Sequence, residues 1–176
     1  MHSIFNFEKS SKVFLNKSYR SAYEIGWFSA KLSGDENYAE FFKRNEEEPV
    51  IFKFKDINNL RDEIIKTIEK YKTEGFSSIA IICKDRKEAS DLYFKLANKI
   101  KIKLIDYLDY DSVLEGTLIL PVYLAKGLEF DAVIVYEAND KHYNNEFDKK
   151  LLYVACTREL HRLSLFYTGN LTKFLD

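Results

Sequence analysis

DINNLRDEIIKTIEKYKTEGFSSIAIIC, residues 56–83, is the stretch from which the fold is read. Ile57, Leu60, Ile64, Ile65, Ile68 and Tyr71 recur at helical spacing, so one stripe of the segment is apolar and the rest charged. Asp56 stands where a side-chain oxygen can cap the first amides, and Gly75 where the helix can end. Ser78 to Cys83 then changes period. It is a short β-branched run without polar alternation, the pattern of a strand buried on both faces. A helix followed directly by such a strand is half of a βαβ unit.

The same alternation extends both ways. Upstream, Pro49 to Phe54 reads as a strand. Downstream, Ala89, Leu92, Tyr93, Leu96 and Ile100 predict a helix, and Lys101 to Ile105 a strand. Thr117 to Val122 and Ala132 to Tyr136 predict two more strands. Phe147, Leu151, Leu152 and Ala155 give a helical face, and Leu163 to Tyr167 a last strand. Near the start, Val13 to Leu15 predicts a short strand. Ser21 is placed to cap a helix carrying Ala22, Ile25, Phe28, Ala30 and Leu32, with Gly34 at its end. Residues 35–49 are a polar connection with a short helix around Tyr38 to Phe42. Strands alternating with helices predict one α/β domain over residues 1–176, a three-layer, mostly parallel sheet with helices on both faces. No internal repeat or low-complexity linker interrupts it.

Composition excludes several classes. The 176 residues are 46% hydrophobic and carry a net charge of −1, so the chain can bury a core but has no global attraction for a polyanion. The longest apolar runs are of strand length, too short to span a bilayer, and no membrane association is expected. Cys83 and Cys156 lie inside apolar stretches and read as buried thiols of a reduced, cytoplasmic protein. His2, His142 and His161 have no second ligand at metal spacing, so no metal site is expected.

In open parallel sheets, ligands are expected at the carboxyl ends of the strands. Three segments have suitable chemistry. Ser18-Tyr19-Arg20-Ser21 pairs an aromatic face with a guanidinium, apt for a base and a phosphate or for an ordinary surface ion pair. Lys126-Gly127-Leu128-Glu129-Phe130-Asp131 joins two strands. Gly127 permits a tight turn and Glu129 can accept from a sugar hydroxyl, or the segment is a solvated turn. Arg158, at the end of an apolar helix, has the planar charged fork that suits a phosphoryl group, and also the charge that suits a helix C-terminus.

The order and spacing of these segments resemble the second RecA-like domain of UvrD/Rep/PcrA-type superfamily-one helicases. Leu15 to Ser21 is similar to motif IV, Ala125 to Asp131 to motif V, and Leu151 to Arg158 to motif VI. The resemblance implies that Tyr19 stacks on adenine, Arg20 reaches the γ-phosphate and Glu129 bonds the ribose. Arg158 would then be an arginine finger, and Arg20 and Arg158 the catalytic pair. It also implies ATP as cofactor with Mg2+ held mainly by another domain, an N-terminal RecA-like domain as partner, and DNA as track. Tyr123, Lys126 and Gly127 are the implied coupling residues. Ser18 replaces the usual Asn, and Pro121 and Tyr123 replace a Thr-x-His.

Pro121 to Val135 most resembles the HelD-like branch, which implies RNA polymerase as a further partner, and Phe42 to Pro49 sits where that branch has a similar connection. No glycine is followed by Lys, so no Walker A loop occurs, and Asp62-Glu63 falls within a helical pattern rather than after a strand. There is no room for an inserted subdomain between motifs IV and V. The expectation is therefore the C-terminal part of a longer ATP-driven motor, inactive alone. The alternative is a non-catalytic docking module whose exposed aromatics are Tyr107, Tyr110, Tyr143 and Phe147.

Overall fold

The computed structural model describes residues 47–107 and 115–175, together with the backbone of 17–18 and 40–41. Strand β1 (Lys17–Ser18) pairs in parallel with β2 (Glu40–Phe41). The main sheet contains β3 (Val50–Phe54), β4 (Ser78–Cys83), β5 (Lys103–Leu104), β6 (Gly116–Pro121), β7 (Phe130–Val135) and β8 (Glu159–Thr168). Its order is β3-β8-β7-β4-β6-β5, and every pairing is parallel.

A parallel strand cannot return by a hairpin, so the chain must cross a face of the sheet between neighbours. Three helices make such crossings: α1 (Ile57–Thr73), α2 (Arg86–Leu96) and α3 (Glu146–Cys156). Each is capped as its sequence dictates. Asp56 accepts from the amides of Asn58 and Asn59, Asp85 from Glu88, and Asn145 from Phe147 and Asp148.

The period of two along each strand sorts side chains into two cores. Ile79, Ile81, Ile119, Ile134 and Phe166 face α1 and α2, meeting Leu60, Ile64, Ile68, Leu92 and Leu96. Ala80, Ile82, Leu118, Leu120, Val133, Val135 and Leu165 face the other way, onto Leu152, Ala155 and Cys156 of α3. Fully burying one such aliphatic side chain contributes about 1.5–3 kcal/mol, so these layers carry the fold. Phe52, Phe54 and Phe166 add an aromatic cluster on the β3 edge.

The expected three-layer α/β architecture stands, with boundaries adjusted. The sheet is wholly rather than mostly parallel. The predicted strand over Lys101 to Ile105 shrinks to two residues at an edge, where only one neighbour supplies hydrogen bonds. Val122, expected within a strand, instead begins a 3-10 turn, Val122–Leu124. Glu40–Phe41, expected in a short helix, form β2, because pairing with residues 17–18 overrides local preference. The predicted strand over 13–15 and helix over 21–34 lie outside the described residues.

Asp131 ties β7 to the start of β4. Its Oδ2 accepts from the backbone N–H of Ser77 at 2.7 Å and of Ser78 at 2.9 Å, and from Ser77 Oγ at 2.9 Å. Burial raises its pKa, but these donors outweigh burial and hold the carboxyl below its ordinary value. A lowered pKa means stabilisation that is present at neutral pH and lost as pH falls below about 4. Asp131→Ala should therefore cost about 1–2 kcal/mol at pH 7. In urea unfolding the gap from the parent chain should narrow as pH is lowered from 5 to 3. An equal gap at both pH values would show that the carboxylate charge is not what clamps the strands.

Candidate functional site

Eight residues, 122–129, carry the chain from the carboxyl end of β6 to the amino end of β7. Val122 and Ala125 are fully buried in the α3 core layer, anchoring this crossover. Gly127 adopts φ +87°, a left-handed conformation that strains residues with a Cβ, and so turns the chain toward β7. Lys126 and Glu129 are exposed on either side of it. Tyr123 is about half exposed, at 52%.

Helix α3 runs back against the strands, so its last turn reaches the same end of the sheet. Thr157 and Arg158 satisfy the carbonyls left open there. Thr157 Oγ1 lies 2.9 Å from the Tyr153 carbonyl oxygen and 3.2 Å from that of Val154. Arg158 Nε donates to the Val154 carbonyl at 3.1 Å, Nη2 to Thr157 Oγ1 at 3.0 Å, and Nη1 to the Leu128 carbonyl at 3.4 Å. The Phe130 N–H in turn donates to the Arg158 carbonyl at 2.9 Å. Arg158 is thus joined to the residue immediately before Glu129.

The fold brings Glu129 and Arg158 together, with Lys126 and Gly127 on the same crossover. It does so at the amino ends of β7 and β8, not at the carboxyl ends expected from sheets of this kind. The reason is geometric: both segments are the final residues of crossings and directly precede strands. Tyr19 and Arg20 lie outside the described residues, as does Tyr110. Tyr143, expected among the exposed aromatics, is fully buried beneath α3, whereas Tyr107 and Phe147 are 72% and 68% exposed.

Two buried features had not been expected. Lys84, directly after β4, places Nζ 2.7 Å from Asp148 Oδ1 in the first turn of α3 and also donates to the His142 carbonyl. Burial pushes the Asp148 pKa up, but Lys84 and the donors of Asn144 and Asn145 bring it below the ordinary value. Helix α3 is therefore fastened at both ends.

Glu159 is the second. It is 1% exposed, in register with Phe130, and among the described residues neither carboxyl oxygen has a hydrogen-bond partner. Burial pushes its carboxyl well above the ordinary range, opposed by its own backbone N–H and by Arg158. The only sequence signal was its place directly after Arg158, a few residues before the apolar run Leu163 to Tyr167. Among the described residues, no group of three His, Cys, Asp or Glu is arranged to hold a metal ion.

Residues 117–166 match the UvrD-like helicase C-terminal domain. Across solved structures, the chain is similar to the C-terminal domain of a possible DNA helicase from Lactobacillus plantarum WCFS1. The two share 31% identity with a TM-score of 0.76, covering 90% of this chain and 92% of that one. A helicase of an arterivirus, nonstructural protein 10, aligns at 12% identity and a TM-score of 0.47 over 82% of this chain and 30% of its own. No curated protein matches the chain.

A raised carboxyl pKa makes the folded state prefer the neutral acid, so its contribution is greatest below about pH 4 and declines as pH rises above the unfolded value. Glu159→Gln should flatten the fall in melting temperature between pH 5 and pH 8 relative to the parent, and Glu159→Leu should raise the melting temperature at pH 8. Parallel pH profiles for parent and Gln variant would mean that Glu159 titrates normally in the fold.

Proposed function

The chain belongs to the UvrD-like helicase C-terminal domain family, and from that premise we propose that it is the second motor domain of an ATP-driven DNA translocase. Its amino-end face forms half of a nucleotide cleft, which an N-terminal RecA-like domain completes with the phosphate loop and the residues for Mg2+. Arg158 is the arginine finger, Glu129 binds the ribose, Tyr19 stacks on the adenine and Arg20 reaches the γ-phosphate. Tyr123, Lys126 and Gly127 lie on the crossover that couples the cleft to the nucleic acid.

The observation that carries this reading is the bond from Arg158 to the Leu128 carbonyl, one residue before Glu129. A ribose-binding carboxylate and a phosphate-directed guanidinium must act on one nucleotide, and the fold sets both on neighbouring strand entries. Arg158 also leaves a helix end whose carbonyls orient its fork, so the fork is partly preorganised.

The resemblance of Pro121 to Val135 to the HelD-like branch supports a second reading, a docking module for RNA polymerase. Phe147 and Tyr107, both exposed, are the aromatic anchors it would use.

In the protein containing both motor domains, Arg158→Ala should lower kcat for ATP by roughly 10³- to 10⁵-fold, with nucleotide binding largely kept, and Arg158→Lys should not restore it. Turnover within threefold of the parent would sink the finger assignment. Polymerase capture that survives Arg158→Ala but fails after Phe147→Ala and Tyr107→Ala would favour docking instead.

A further inference from the structure

Residues 136–145 carry the chain from β7 to α3, and their polar side chains fix the path. Glu137, at φ 53°, turns the chain and accepts from Asn139 Nδ2 and, at 2.9 Å, from Thr168 Oγ1. Asn139 is 2% exposed, and its Oδ1 accepts from the backbone N–H groups of Lys141 and His142, each at 3.1 Å. With two backbone donors on one end of this amide and a carboxylate on the other, the end facing His142 is the oxygen.

His142 joins this loop to α2. Its Nδ1 lies 2.7 Å from Asn139 Oδ1, and its Nε2 lies 2.8 Å from Glu88 Oε1 in the first turn of that helix. The other Glu88 oxygen accepts from the Lys84 backbone N–H at 2.7 Å, which holds the carboxylate in place. Both ring nitrogens therefore face acceptors. A neutral imidazole has one N–H and would set a lone pair against one of these two oxygens, whereas the imidazolium donates to both.

The charged groups that act on the ring favour the same form. Glu88 stands on α2, Glu137 after β7 and Lys84 after β4. The bond to Glu88 raises the His142 pKa, burial lowers it, and the charges of Glu88 and Glu137 outweigh that of Lys84, so the net direction is upward. Lys84 is itself paired with Asp148 of α3 at 2.7 Å, which offsets its charge. We propose that His142 is a proton-dependent latch that, as an imidazolium, clips the loop before α3 to α2 and lets go when its proton leaves. A raised pKa means stabilisation that is fully present below about pH 6.5 and lost as pH rises through the folded-state value. The same loop leads into the Asn144–Asn145 turn that holds Asp148, so release loosens α3 at the end opposite Arg158. The latch is independent of the nucleotide roles proposed for Arg158 and Glu129.

Nitrogen NMR of the imidazole rings in the 176-residue chain, followed from pH 5 to pH 9 beside amide hydrogen exchange of residues 142–148, tests this. Both His142 ring nitrogens should carry protons at pH 7, and the ring should titrate above the ordinary histidine value of about 6.5. Glu88→Gln should return the titration to that value or below it. Exchange protection of residues 142–148 in the parent should exceed that in His142→Gln roughly tenfold at pH 6, and the excess should shrink toward parity as the parent ring loses its proton. A ring that titrates at or below the ordinary value, a titration that Glu88→Gln leaves in place, or a protection ratio constant across the titration would each overturn the latch. Were His142→Gln not to fold, the ring titrations of the parent and of Glu88→Gln would decide the matter alone.

Discussion

Burial of both faces of a parallel sheet is the constraint on which the rest of this molecule depends. The interior strands β4, β6 and β7 share their backbone hydrogen bonds with parallel neighbours, and their side chains are buried on both faces of the sheet. Such a sheet admits no short return, so every connection crosses a full face and delivers its last residues to the amino ends of the strands. The position of the candidate site follows from this: residues 125–129 and Thr157–Arg158 are the ends of two crossings that enter adjacent strands, β7 and β8.

Helix α3 turns that constraint into a positioned side chain. At its start, Lys84 and the Asn144–Asn145 turn hold Asp148; at its finish, Thr157 and Arg158 close the open carbonyls and reach across to Leu128. The buried stripe Leu152, Ala155 and Cys156 fixes its rotation between these ends. Arg158 stands in the two-residue link between α3 and β8, and its bonds to the Val154 and Leu128 carbonyls and to Thr157 hold its guanidinium against both elements. The price is Glu159, whose carboxyl lies in the apolar layer next to that arginine.

Much of the fold was legible because its signals are local and periodic. Ile57 to Tyr71 repeats every three to four residues, and Asp56 caps where a cap was expected. Ser78 to Cys83 and Ala132 to Val135 are apolar on both faces, which only an interior strand allows. The misplacements share one cause. Val122 left its strand to begin a crossover, and the 101–105 strand shrank at a sheet edge, because strand ends are set by available partners rather than by side-chain preference. Tyr143 looked exposed because it stands among polar residues; a Tyr beside Lys, His and Asn carries no local sign that α3 will cover it.

The sequence by itself determined the alternation of helices and strands, the family pattern of Ala125 to Asp131 and Leu151 to Arg158, and the lack of a phosphate loop in this chain, since composition, period and spacing are properties of neighbouring residues. Tertiary structure decided which end of the sheet these segments share, that Arg158 meets the Leu128 carbonyl, that Lys84 fastens Asp148 64 residues away in the chain, and that His142 meets Glu88 of α2. Those contacts join residues far apart in sequence, and their energies depend on distance, burial and partner geometry that exist only once the sheet has closed its two cores.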